Sequence, residues 1–135
     1  MAVTYYQSNK LLDYNFGATA YSNPATLYVG LSTTTISDNG TGATEPSGGS
    51  YARVAVTNNK TNFGVAASGS LVNAVDFTFV ESTASWGTIT YVAIYDASTA
   101  GNMLYFQPLS TSRAVPINTI VSFPASYLTI QFVNS

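Results

Sequence analysis

The chain has no cysteine and no histidine. That excludes disulfides, thiol chemistry, Cys/His zinc sites and Ser-His-Asp catalysis. Charge is nearly as scarce. Only 7% of residues are charged, against roughly 25% in an ordinary soluble domain. The four basic residues, Lys10, Arg53, Lys60 and Arg113, are scattered, so no basic patch can neutralise a run of phosphates and no nucleic-acid partner is expected. No apolar run approaches the ~20 residues of a transmembrane helix, so no membrane partner is expected either. The N-terminus, MAVTYYQSNKLLDYNFG, lacks the basic start and apolar stretch of a signal peptide. These absences describe a soluble protein made in a cytoplasm.

What remains is rich in core material. Of the 135 residues, 46% are hydrophobic and 13% aromatic. A chain of this length folds as one domain, burying roughly two-thirds of its unfolded surface. Its polar surface must come from Thr, Ser, Asn and Gln. A surface so poor in charge is weakly protected against self-association, which points to a protein covered by neighbours in an assembly.

The patterning is mostly period two. One helix is predicted, over Tyr5 to Phe16, capped by Thr4 and ended by Gly17, with Tyr5, Asn9, Leu12 and Phe16 along one face. After Pro24 the stretch TLYVGLS alternates, with Leu27, Val29 and Leu31 on one side and Tyr28, Gly30 and Ser32 on the other. A long polar loop, Thr33 to Ser50, follows; its length suits an interaction loop. Further strands are read in YARVAVT, TNFGV, DFTFV, TITYVAIYD, NMLYFQPL, TIVSF and YLTIQFV. In TNFGV, Thr61, Phe63 and Val65 share a face. In TITYVAIYD, Ile89, Tyr91, Ala93 and Tyr95 lie opposite Val92 and Ile94. Both faces are apolar, so this strand is expected in the centre of a sheet. Gly101-Asn102 supplies the turn of a hairpin, and Pro108 marks an edge or bulge. In the last strand Leu128, Ile130 and Phe132 point inward, with Tyr127, Thr129 and Gln131 outward. The expected fold is all-β: an antiparallel β-sandwich or jelly roll of about seven to eight strands with a short N-terminal helix, a single domain over residues 1–135 with a helical arm at 1–17 and a long loop at 33–50.

Few residues suggest chemistry. The six carboxylates, Asp13, Asp38, Glu45, Asp76, Glu81 and Asp96, have no spacing that marks a glycosidase pair. Asp38, Asn39 and Glu45 in SDNGTGATE are oxygen ligands that calcium would accept, but Asp-Asn-Gly is ordinary turn chemistry. Asn39-Gly40-Thr41 and Asn59-Lys60-Thr61 match the glycosylation sequon, idle without secretion. Trp86 could stack on a sugar; a lone Trp more often anchors a core or an interface. The residues placed at a subunit or capsid interface are Tyr5, Tyr6, Tyr28, Tyr51, Arg53, Trp86 and Tyr127, Tyr and Arg being enriched where proteins meet. For Tyr28, Tyr51, Arg53 and Tyr127 there are two readings: cover by another subunit, or packing within the monomer. Arg53 either pairs in its own subunit, with Glu45 for example, or reaches across to a neighbour. The arm at 1–17 and the loop at 33–50 are expected to carry contacts to other chains.

The order of motifs adds a resemblance. ATLYVGLSTT, an acidic Gly/Thr loop, TEPSGGSYARVAVT, SWGTITYVAIYDASTAGNMLYFQPLSTSRAV and a closing FPASYLTIQF together resemble a widespread family of small tailed-bacteriophage virion proteins. Its members are often described as tail fibre proteins; those seen in phage heads look like capsid cement, or decoration, proteins. The resemblance runs from about Leu11 to Phe132. It implies a jelly-roll subunit that forms a homotrimer on the outside of the virion and clamps the phage major capsid protein. It implies no catalytic residue; from the residues themselves no cofactor and no metal are expected. A tail-fibre or adhesin module binding a host receptor or glycan is the alternative, and an enzyme acting on polysaccharide is the remote third reading.

Overall fold

The computed structural model describes residues 1–132. Among them are one helix and nine strands: β1 (Ala2–Val3), α1 (Tyr5–Asn15), β2 (Thr26–Ser32), β3 (Val54–Thr57), β4 (Ser70–Val72), β5 (Phe77–Thr78), β6 (Gly87–Tyr95), β7 (Met103–Val115), β8 (Ser122–Phe123) and β9 (Thr129–Gln131). All pairings are antiparallel. The main sheet runs β1-β7-β6-β2-β3, and two ribbons, β4-β9 and β5-β8, stand apart from it. No described helix is long and apolar enough to cross a membrane.

The apolar content of β6 has its explanation in this order. Strand β6 is central, and each of its faces meets a different core. The larger core joins Val29, Leu31, Val56, Ile89 and Val92 of the sheet to Phe77, Phe79, Phe123 and Leu128 of the ribbon segments. Sheet and ribbons thus form the two layers of a sandwich. The smaller core lies on the other face: Ile36, Ala93, Tyr95, Met103 and Phe106, with Tyr28, Tyr91 and Ala43 packed against it. Ile36 and Ala43 come from the long loop, which therefore roofs the sheet. Two cores, one large and one small, are what a strand apolar on both faces requires.

Several local expectations are corrected. Ile89 does not share a face with Tyr91. Ile89 pairs with Arg113 and Tyr91 with Pro108, so Thr90 alone stands opposite the four residues Leu109 to Ser112 of β7. This large bulge breaks the alternation and turns Ile89 to the side of Val92. TNFGV forms no strand: Phe63 makes a single bridge to Asn73 and is buried, while Val65 is 79% exposed. Phe132 faces solvent rather than the core; the final valine of YLTIQFV lies outside the described residues. Tyr127 points inward. It precedes β9, follows a turn in which its N–H donates to the Pro124 carbonyl, and packs beside Phe123 at 5.5 Å. The alternation of the last strand does not reach back through that turn.

Candidate interaction surfaces

The long loop is tied down at both ends. At its start the Ser32 hydroxyl accepts from the N–H groups of Thr34 and Thr44, and Thr33 N–H donates to the Thr44 carbonyl. Asn39 accepts from the N–H and the hydroxyl of Thr41, which is turn chemistry at the position considered for calcium. Ile36 plugs the tip segment into the smaller core.

At its end, Glu45 and Arg53 build a closed network. The guanidinium donates to both carboxylate oxygens of Glu45, at 2.9 and 2.7 Å. Its remaining arm donates to the carbonyls of Ala97 and Ala100, at 2.7 and 2.9 Å, in the β6–β7 hairpin loop. The cation also lies 3.5 Å from the centre of the Tyr95 ring, a cation–π contact in a dry site. The Tyr51 hydroxyl donates to Glu45 at 2.7 Å and accepts from Leu31 N–H at 2.9 Å. Gly30 stands beneath: a Cβ there would fall 2.9 Å from Glu45 Oε1 and from Tyr95 Cε2. Glycine is needed at this position because the backbone is approached from above.

The electrostatics follow from this packing. Burial alone would raise the Glu45 pKa, but the hydrogen bonds from Arg53 and Tyr51 and the charge of Arg53 more than offset it, leaving the carboxyl below its ordinary range. Burial pushes the Tyr95 hydroxyl up to about 12, helped by the Glu45 charge. Tyr51 is raised further still, by burial first and then by Glu45. Both phenols stay neutral across physiological pH.

This network places two of the candidate interface residues. Arg53 pairs within its own subunit, its side chain only 5% exposed. Tyr51 stacks against Phe79 and meets Trp86 edge-on at 5.3 Å, half-buried against the larger core. Trp86 is 3% exposed and donates its indole N–H to the Gly49 carbonyl at 2.8 Å; it is a core anchor with no ring face free for a sugar or a partner. Tyr28 and Tyr127 are half-buried against the two cores. Tyr5 and Tyr6 alone of the seven are exposed.

They lie on α1, whose orientation inverts ordinary amphipathicity. Thr4 caps the helix by accepting from Gln7 N–H and donates its hydroxyl to the Met103 carbonyl at 2.7 Å. Thr4 N–H also donates to the Leu104 carbonyl. Gln7 is the one buried helix residue, accepting from the Tyr21 hydroxyl at 3.0 Å and reaching towards that of Tyr105. The helix is therefore held to β7 by polar groups. The stripe of Tyr5, Leu12 and Phe16 faces out; Leu12 is 54% and Phe16 80% exposed. The sequence marks this stripe correctly but gives no sign that it points away from the protein's own core.

A second feature has no counterpart in the sequence reading. Between the β7 bulge and the segment Thr119–Pro124 runs an open groove of about 430 Å³. Its floor is Ile89, Val115 and Phe123, and Arg113 is the single charged residue in its lining. Ile120 stands exposed in the segment that walls it, and Ile117 is exposed just before that segment. The signal that could have found it is STSRAV after Pro108, too polar for a buried strand yet ending in an apolar residue.

Chemistry is otherwise sparse. The Asp96 carboxylate accepts from the N–H and side-chain amide of Asn102, and that of Asp76 from Ala125 N–H. Among the described residues no three acidic groups gather as metal ligands, and Glu45, considered for calcium, is spent on Arg53 and Tyr51. No curated protein matches the chain. A family model does, over residues 2–131, nearly the whole fold including α1, both cores and the groove. The chain belongs to the family described as podophage GP4 fiber I protein gp80, a family of phage virion proteins.

Proposed function

We propose that this protein is a homotrimeric cement protein of the virion exterior, bound to the outside of the phage major capsid protein shell. The observation that carries the reading is the ridge of α1. A fold with two cores of its own leaves Tyr5, Leu12 and Phe16 outside both, and fixes them there through Thr4 and Gln7. Rigid exposed apolar groups of this kind mark a surface for another protein. The rest of the molecule supports a structural rather than a catalytic role: its strongest polar network ties the end of the long loop to the β6–β7 hairpin. A cement protein acts by adding buried area across seams between shell subunits, each standard interface covering ~1,600 Å², and trimer symmetry multiplies contacts that are individually weak.

The family description as a fiber protein favours a second reading, a fibre module that binds a host receptor or glycan. One reconstruction of the virion separates the two. The cement reading expects the chain outside the shell at local three-fold positions, and light scattering expects a trimer of the purified protein. Density confined to the tail, with host adsorption lost on deletion of the gene, would replace cement by fibre.

A further inference from the structure

We infer that α1 of one copy seats in the groove beside β8 of a neighbouring copy, a head-to-tail contact that builds the trimer; the inference rests on the homotrimer proposed above. The two surfaces are complementary in shape. One is a convex ridge with Leu12 and Phe16 at its crest; the other is a concave apolar channel of about 430 Å³. They are complementary in charge as well. Asp13 lies on the exposed side of α1, and Arg113 lines the groove. Among the described residues the ion pair formed is Arg53–Glu45, and neither Asp13 nor Arg113 has a side-chain partner in its own subunit. Lys10, the cation of the helix, instead lies over the ring of its neighbour Tyr6 at 5.6 Å. In a chain with four basic and six acidic residues, one matched pair across a contact is enough to favour a register.

The placement of the two features excludes an intramolecular version. Helix α1 is anchored at Met103 to Tyr105, the start of β7, while the groove runs beside Leu109 to Val115, its end. At ~3.3 Å per residue the middles of the two stretches lie on the order of 20 Å apart; no residue of α1 lines the groove, and Leu12 and Phe16 stand in solvent. Ridge and groove are different patches of one surface. A contact between different patches is heterologous, and it closes into a ring where its rotation divides the circle. A two-fold pairing of ridge on ridge would leave the groove and Arg113 unfilled.

Because the protein has no cysteine, a disulfide test is clean. Phe16→Cys and Ile120→Cys are both at exposed positions, so neither should disturb folding, which a thermal melt of each variant checks. An oxidised equimolar mixture of the two single variants should give a covalent heterodimer on a non-reducing gel. The chain carrying both should give a covalent trimer. Arg113→Asp should weaken association about fivefold on dilution in light scattering, and Asp13→Arg likewise; the two combined should recover to within about twofold of the parent. A trimer that cross-links Phe16→Cys only to itself, or not at all, overturns the inference and leaves the trimer standing. A protein that stays monomeric at every concentration overturns the trimer and the inference together. Cross-links formed by Phe16→Cys only with shell protein, when the variant is added to virions, overturn it too and give the ridge to the capsid.

Discussion

The Glu45–Arg53 network and the α1 ridge both combine polar side chains with aromatic rings and put them to opposite uses. In the network, every strong group turns inward. Arg53 serves one carboxylate, two carbonyls and one aromatic ring, and the aromatics beside it line the core. On the ridge the polar residues Thr4 and Gln7 face in, and tyrosine, leucine and phenylalanine face out. Burying polar groups is tolerable only where each is hydrogen-bonded, and no buried side-chain polar atom among the described residues lacks a partner. Both regions meet that condition, so both are stable arrangements. What differs is the apolar remainder: the network leaves little of it in water, and the ridge leaves more than half of Tyr5, Leu12 and Phe16 there.

Breaking the inward region should cost the most. Trp86→Ala removes a ring that touches Tyr51 and Phe79 and holds Gly49 through its N–H. A loss of about 3–5 kcal/mol is expected in denaturant unfolding, close to the whole stability of a small domain. A loss below about 1 kcal/mol would mean the larger core can close over the gap, and would weaken the claim that Trp86 is its anchor.

Arg53→Ala comes next. It leaves Glu45 half-buried without its cation and frees the carbonyls of Ala97 and Ala100. Removing one partner from such a pair costs about 3 kcal/mol where the other stays desolvated; the partial exposure of Glu45 should reduce this to about 2 kcal/mol. The unfolding midpoint should fall accordingly, and amide hydrogen exchange should quicken across the long loop before the sheet. Uniform exchange across loop and sheet would show that the network does not act as the loop's clasp.

How much of this was legible in the residues varies with the range of the interaction. The helix was readable from Thr4 to Gly17 because caps are local. The central position of β6 was readable because both its faces are apolar. The pairing of Arg53 with Glu45 was one of two readings, and with so few charges in the chain it was a short list. The facing of α1 was not readable. Amphipathic patterning says which residues share a side, not which side the fold covers, and here the anchoring is polar. The bulge at Leu109 to Ser112 was readable only in part: Pro108 marks an edge or bulge, and the register breaks directly after it, but a strand that pairs, loops out and pairs again leaves no periodic trace of how far it loops, so the groove beside it and the flip of Ile89 were lost together.

A smaller effect should appear with pH in the inward region. Glu45 has a folded pKa below its ordinary 4.5. Its contribution to stability is therefore fully present above that value and is lost as pH falls through the folded one. Glu45→Gln should flatten the acid limb of a stability profile. Tyr95 runs the other way. Its pKa is raised to about 12, so its contribution is complete below its ordinary 10 and fades as pH climbs towards 12. Near-ultraviolet absorbance should show tyrosinate appearing there in step with unfolding. The acid limb of Glu45→Gln superimposing on the parent's would remove the carboxylate from the account.

The smallest effect on folding should come from the ridge. Leu12→Ser exchanges an exposed apolar group for a polar one and touches neither core; the helix keeps its cap and its bonds to β7. A change within about 0.5 kcal/mol is expected in monomer stability. That near-silence is informative because the same substitution should act strongly elsewhere: an exposed leucine at the centre of a contact typically costs about 1–2 kcal/mol of binding, or roughly a tenfold rise in the apparent dissociation constant of the assembly. Folding unchanged with assembly weakened would separate the two regions by function. If Leu12→Ser instead destabilised the monomer by as much as Arg53→Ala, the ridge would be serving its own fold, and the contrast between a region that closes the subunit and a region that opens it to others would fail.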